Sequence, residues 1–100
     1  MLFMVIEHFK GRDPKPIYAR FRAHGRMAPA GLKYHGSWIE PNFARCFQVM
    51  ECDDIALLMQ WIAKWRDLAD FEVIPVAPSG VTADIVTGMG ARKRSTRKKR

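Results

Sequence analysis

The sequence predicts an α+β domain of β-α-β-β-α-β order, a split βαβ arrangement whose four-stranded antiparallel sheet is ordered 4-1-3-2 with both helices on one face. Three observations lead there. Four short runs rich in apolar, β-branched and aromatic residues are bounded by Gly, Pro, Asn or Asp. Two segments carry apolar residues at helical spacing, one after the first run and one after the third. The last run holds Pro75, which lacks the N–H an interior strand needs, and the 4-1-3-2 order puts that strand on an edge. Both β-α-β crossovers can be right-handed in this topology.

Met1 to Phe9 (MLFMVIEHF) is nearly continuous in apolar residues, too short for an ordinary helix and closed by Lys10-Gly11, so it reads as a central strand. Asp13 before Pro14, with Pro16 following, starts a helix in which Asp13 is the N-cap or Pro16 lies in the first turn. Ile17, Phe21 and His24 share a face, and Gly25 with Ala28-Pro29-Ala30-Gly31 stops the helix by residues 24 to 27. Leu32 to Glu40 is a second strand with Gly36 as a bulge, Pro41-Asn42 a turn, and Arg45 to Cys52 a third strand forming a hairpin with the second. Asp53-Asp54 opens a helix over Ile55 to Leu68, in which Ile55, Leu58, Met59, Ile62 and Trp65 recur at helical spacing. Phe71 to Val76 is the fourth strand.

Residues 1–78 thus form the domain and 79–100 a flexible extension with a basic tail. Within the extension only Val81 to Val86 is expected to order, for example as a strand added to a partner.

One hundred residues bound the chain to a single domain, and 48% hydrophobic with 27% charged residues is a globular balance rather than a disordered or membrane one. The formal charge of +7 is not spread over it. Residues 91–100 (ARKRSTRKKR) hold seven Lys and Arg and no acid, whereas residues 1–90 hold ten basic against ten acidic residues. Polyanion contact is therefore an expectation about the tail alone. No run approaches the roughly 20 apolar residues of a membrane span, and the apolar start stops at Glu7, so a cytoplasmic protein is expected. Cys46 and Cys52, six positions apart on one strand, lie roughly 20 Å from each other, beyond disulfide reach or a shared metal. Buried thiols are expected, with no metal and no cofactor.

Helices cover one sheet face only. Grouping Phe3, Val5 and Glu7 with Phe47, Val49 and Glu51, and Leu2, Met4, Ile6 and His8 with Cys46, Gln48 and Met50, leaves both faces mostly apolar. An apolar open face is most simply buried against a second copy, so a homodimer through that face is expected.

The segments MLFMVIEHFK, DPKPIYARFR, NFARCFQVMECDD and WIAKWRDLADFEVIPV resemble a family of small, mostly bacterial proteins known only as a domain of unknown function, over residues 1 to about 78. Such proteins are similar in turn to the ferredoxin-like dimeric α/β-barrel group, which includes cofactor-free monooxygenases, muconolactone isomerase, haem-dependent chlorite dismutase and stress proteins. The resemblance implies a fold and a dimer; it brings no catalytic residues.

Candidate site residues follow from the residues themselves. Glu7 and Glu51, near the ends of adjacent central strands, form a candidate carboxylate pair for acid–base work, with His8 as a possible proton carrier. The competing role for each carboxylate is a strand-end cap or a pair with Arg20 or Arg45. Tyr34, Trp38 and Phe47 are candidate pocket walls for a flat ligand, against plain core or interface packing. Gln48, an amide in an apolar strand, needs buried partners or a ligand. Trp61 and Trp65, four apart, are expected core anchors.

No phosphate loop, nucleophile elbow or zinc-binding His pair is present in the sequence, and the third strand has Phe47 but lacks the glycine and the further aromatics of an RNA-recognition motif. The expected function is binding of a small hydrophobic or aromatic metabolite by a homodimer, without chemistry or as a cofactor-free monooxygenase or isomerase. Non-specific nucleic-acid or anionic-surface contact by the tail is a further alternative.

Overall fold

The computed structural model describes residues 1–88, and the basic run of residues 91–100 lies outside them. The strands are β1 (Leu2–Phe9), β2 (Lys33–Ile39), β3 (Arg45–Glu51) and β4 (Ala69–Val76). They form one sheet in the order β2-β3-β1-β4, the expected 4-1-3-2 read from its other edge, with every pairing antiparallel. Pro75 sits on edge strand β4, as its missing N–H requires. The ladder between β2 and β3 shifts register between Tyr34 and Gly36, the expected bulge. Trp38 folds back along that strand so closely that a Cβ at Gly36 would lie 3.1 Å from its ring and would push the exposed indole aside.

Helix α1 (Lys15–His24) starts where Asp13 Oδ1 accepts from the Lys15 N–H at 3.0 Å, with Pro16 in its first turn. It stops at Gly25, whose φ of 72° no β-carbon opposes. Helix α2 (Ile55–Ala63) is capped by Asp54, which accepts from the Ala56 N–H at 2.9 Å. It ends five residues before the expected Leu68, because residues 64–68 tighten into turns. The Arg20 guanidinium pulls that turn outward: it takes the Lys64 carbonyl and both Asp67 carboxylate oxygens, each at 2.8 Å. Strand β4 consequently begins at Ala69 rather than Phe71.

Val81 to Val86 does not form a strand. It belongs to α3 (Ser79–Thr87), which follows Pro78 and closes at Gly88 in the left-handed conformation. Val81, Thr82, Ile85 and Val86 favour a strand by propensity, and the proline before and glycine after overrule it.

Register decides which residues meet. Partner pairs join odd positions of β1 to even positions of β3: Phe3 to Met50, Val5 to Gln48, Glu7 to Cys46. The expected grouping of Glu7 with Phe47 and Glu51 is therefore corrected. Phe3, Val5, Glu7 and Phe9 share the helix-covered face with Cys46, Gln48 and Met50, and with Ala69, Phe71 and Val73 of β4. The core lies there, with Ile17 of α1, Leu58 and Trp61 of α2, and Trp65 packed on it. Met4, Ile6, Phe47, Val49, Trp38 and Ile74 occupy the opposite face.

Candidate functional site

Glu7 is carried by the central strand into the face that the helices cover, and only 6% of its surface remains exposed. Burial pushes its carboxyl up from 4.5 to about 7, against the opposing pull of hydrogen bonds from Gln48 and Cys46 and the charge of Arg26. Gln48 sits opposite Val5 on β3 and is itself buried. Its carboxamide is used at both ends: the NH₂ group donates to Glu7, and Oε1 accepts from Arg26 Nη1 at 3.1 Å. An acid, an amide and a cation thus form one chain from core to surface.

Arg26 lies in the connection between α1 and β2, between Gly25 (φ 72°) and Met27 (φ 60°). Two indoles hold this turn: Trp61 Nε1 and Trp65 Nε1 both donate to the Arg26 carbonyl oxygen, at 3.0 and 3.1 Å. The spacing of the two tryptophans therefore fixes backbone as well as filling core. The guanidinium lies 3.5 Å from the Tyr34 ring centroid and 5.2 Å from that of Phe21, a cation between two aromatic faces. Tyr34 is held in turn by a 2.6 Å hydrogen bond between its hydroxyl and Ser37 Oγ.

Between these groups is a pocket of about 100 Å³, walled by Ile17, Tyr18 and Phe21 of α1 and floored by Glu7, Cys46 and Gln48. Burial, and next the charge of Glu7, push the Cys46 thiol up to about 12, so it is a neutral donor toward Glu7 rather than a nucleophile. Burial raises the Tyr18 phenol as well. Of these groups, only Glu7 is brought to change its charge near neutrality. A larger hollow of about 320 Å³ lies beside His8, Glu40 and Arg45. Two of its charges are matched, since Arg45 donates twice to the Glu40 carboxylate at 2.9 and 2.7 Å, and Arg12 also lines it.

Glu7, Gln48 and Tyr34, three of the residues singled out in the sequence, gather around Arg26. The others do not. Glu51 is on the opposite sheet face, 2.8 Å from His35 Nε2, which holds its carboxyl below the usual range. His8 Nε2 lies 2.6 Å from Glu72 Oε1 on that same face. Trp38 and Phe47 are cross-strand partners there too, and Arg45 stands over Phe47. A Glu7–Glu51 carboxylate pair is excluded because the register sends the two side chains to opposite sides. Arg20 and Arg45 pair with Asp67 and Glu40, not with the candidate carboxylates.

Sequence reasoning missed Arg26, Tyr18, Phe21 and Ser37 as members of the site. A basic residue beside a helix-ending glycine was the available signal for Arg26, and it is a weak one. Among the described residues no group of three or more His, Cys, Asp or Glu could hold a metal ion, and no helix is long and apolar enough to cross a membrane.

Topology and site together describe a ferredoxin-like α+β domain with a buried acid under its helices. The chain belongs to the family described as Domain of unknown function (DUF3303), which matches residues 1–90 and so takes in α3 as well as the sheet. No curated protein and no solved structure matches the chain.

Proposed function

We propose that this is a homodimeric small-molecule-binding protein of dimeric α/β-barrel type, which admits a small hydrophobic or aromatic metabolite to the pocket above Glu7. The observation that carries the reading is the buried chain Glu7–Gln48–Arg26, opening into a pocket walled by aromatic and aliphatic side chains. Apolar walls with a few convergent polar groups are the usual composition of a ligand site. An engineered cavity of about 150 Å³ accepts benzene, and this pocket, at about 100 Å³, is smaller, so its ligand is limited to a single ring that it encloses in part. Titration calorimetry of the full chain with phenol and benzamide tests this. Saturable binding that weakens in Phe21→Ala is the expected result, and no binding of any single-ring probe would refute it.

A second reading is favoured by one observation, the carboxyl of Glu7 brought to about 7. Such a group suits an isomerase-like enzyme without cofactor, in which Glu7 takes a proton from an acidic C–H and returns it at another position. A cofactor-free monooxygenase would begin with the same proton abstraction. Glu7→Gln abolishes turnover while retaining binding under these readings; under simple binding there is no turnover to lose, and no substrate is converted by either protein.

The dimer is formed through the open sheet face. There Trp38 and Ile74 are 61% and 42% exposed on the two edge strands, with Met4, Ile6, Phe47 and Val49 between them. Ion pairs His8–Glu72 and His35–Glu51 lie along this apolar patch, as at other association surfaces. Free buried thiols at Cys46 and Cys52 fit a reducing compartment such as the cytoplasm. The seven basic residues of 91–100 add a weak, salt-sensitive attraction to nucleic acid or anionic surfaces.

A further inference from the structure

We infer that the pocket's ligand is an aromatic anion, a single-ring carboxylate or a compound of like acidity, whose charged end is held by Arg26. This rests on the reading of the pocket as a ligand site and adds the ligand's charge. The arginines differ in what occupies them. Arg20 and Arg45 each spend two N–H groups on one carboxylate. Arg26 has no carboxylate within ion-pair distance among the described residues, although it lines the pocket and is half-buried. Among the described residues its guanidinium makes one hydrogen bond, from Nη1 to the neutral oxygen of Gln48.

The side chain is nonetheless held in place. Tyr34 and Phe21 flank the guanidinium, the Gln48 bond sets its rotation, and two indole N–H groups pin its backbone carbonyl. A planar fork with unused donors, fixed before any ligand arrives, is what recognises a carboxylate in two-point contact. The aromatic side chains beside it supply a stacking surface for the attached ring.

Proton linkage follows from the surroundings of Glu7. The titratable, polar and charged groups around it are Gln48 and Cys46 from β3, Tyr18 from α1, Ser37 from β2, and Arg26 from the connection before β2. Arg26 is the only cation among them. An anion that engages Arg26 withdraws its support from the Glu7 carboxylate and adds a like charge nearby, so Glu7 binds a proton. Anion binding therefore takes up protons near neutral pH and weakens as pH rises. A neutral ring adds no charge and leaves Arg26 facing Glu7, so its proton uptake and pH dependence are smaller.

Titration calorimetry of the full chain with benzoate and with benzamide, at pH 6.5 and 8.5 and in two buffers of different ionisation heat, tests this. Benzoate is expected to bind about tenfold or more tighter than benzamide at pH 6.5, as charge-assisted hydrogen bonds allow. It should take up more of a proton than benzamide does and lose more affinity than benzamide between pH 6.5 and 8.5. Arg26→Gln should lower benzoate affinity far more than benzamide affinity and so remove the preference, and Arg26→Lys should keep part of the preference. If Arg26→Gln fails to fold, the two-probe and two-buffer comparison on the natural chain still decides. Equal binding of the two probes, benzamide alone binding, or a preference that survives Arg26→Gln overturns the inference and leaves the ligand pocket standing. No binding of either probe overturns both.

Discussion

Arg26 Nη1 donates to Gln48 Oε1 at 3.1 Å, so a half-buried cation is tied through one amide to a buried acid. This relationship explains a position that is otherwise costly: an amide in the middle of a central strand. Gln48 uses its acceptor on Arg26 and its donor on Glu7, and among the described residues no buried side-chain nitrogen or oxygen is left without a partner. Four predictions follow from this site and the surfaces around it.

Stability should depend on pH through Glu7. Its folded-state carboxyl is raised from 4.5 to about 7, so between these values the folded chain keeps a proton that the unfolded chain has released. The stabilisation is complete below about pH 4.5 and is lost as pH rises through 7, by on the order of 3 kcal/mol in total. Glu7→Gln is neutral at every pH and removes that slope. Urea denaturation at pH 5 and pH 8 should show the natural chain losing stability relative to the variant; parallel pH curves would mean that Glu7 does not titrate in this range.

The thiols should be silent in the native state. Cys46 is buried with its thiol pushed up to about 12, and Cys52 is buried as well. An aromatic disulfide reagent at pH 8 is expected to modify neither within minutes, and both once denaturant is added. Fast labelling of Cys46 in the folded protein would show that the pocket floor opens.

Replacing the two indoles should cost more together than separately. Trp61→Phe and Trp65→Phe each remove one N–H from the Arg26 carbonyl and should each cost about 1 kcal/mol for the hydrogen bond, with packing losses in addition. The double variant leaves that carbonyl without either donor, so its destabilisation should exceed the sum. Chemical denaturation of the four proteins in this cycle measures the excess, and strict additivity would deny the shared acceptor its role.

Light scattering should give a mass near twice the 11.5 kDa chain at micromolar concentration. Trp38→Lys combined with Ile74→Lys places charges on two exposed apolar positions of the open face and should yield a folded monomer. A monomeric natural chain, or a double variant that remains dimeric, would remove the proposed interface.

Much of the architecture was legible because its signals are local. The aspartates before each of the first two helices cap them, Gly25 stops the first, Gly36 accompanies a bulge and Pro75 lies at an edge. The site was only partly legible. Gln48 could be singled out because a buried amide is anomalous in any context. Pairing Glu7 with Glu51 failed because strand alternation says which residues of one strand share a face, and nothing about which face of the next strand they join.

By itself, the sequence determined the order of the four strands and first two helices, the edge position of the proline strand, the confinement of net charge to residues 91–100, and the presence of an acid and an amide on central strands, but not the third helix. Each depends on backbone chemistry or on a count, and neither needs a partner across the fold. Only the tertiary structure decided that Glu7 meets Cys46 and Gln48 under the helices, and that Glu51, His8, Trp38 and Phe47 go to the other side. It also brought Arg26, from a connection without periodic pattern, onto that acid and amide. The physical reason is that a one-residue change of register exchanges the faces of a whole strand, while the energy that selects the register comes from packing the sheet against Ile17, Leu58, Trp61 and Trp65.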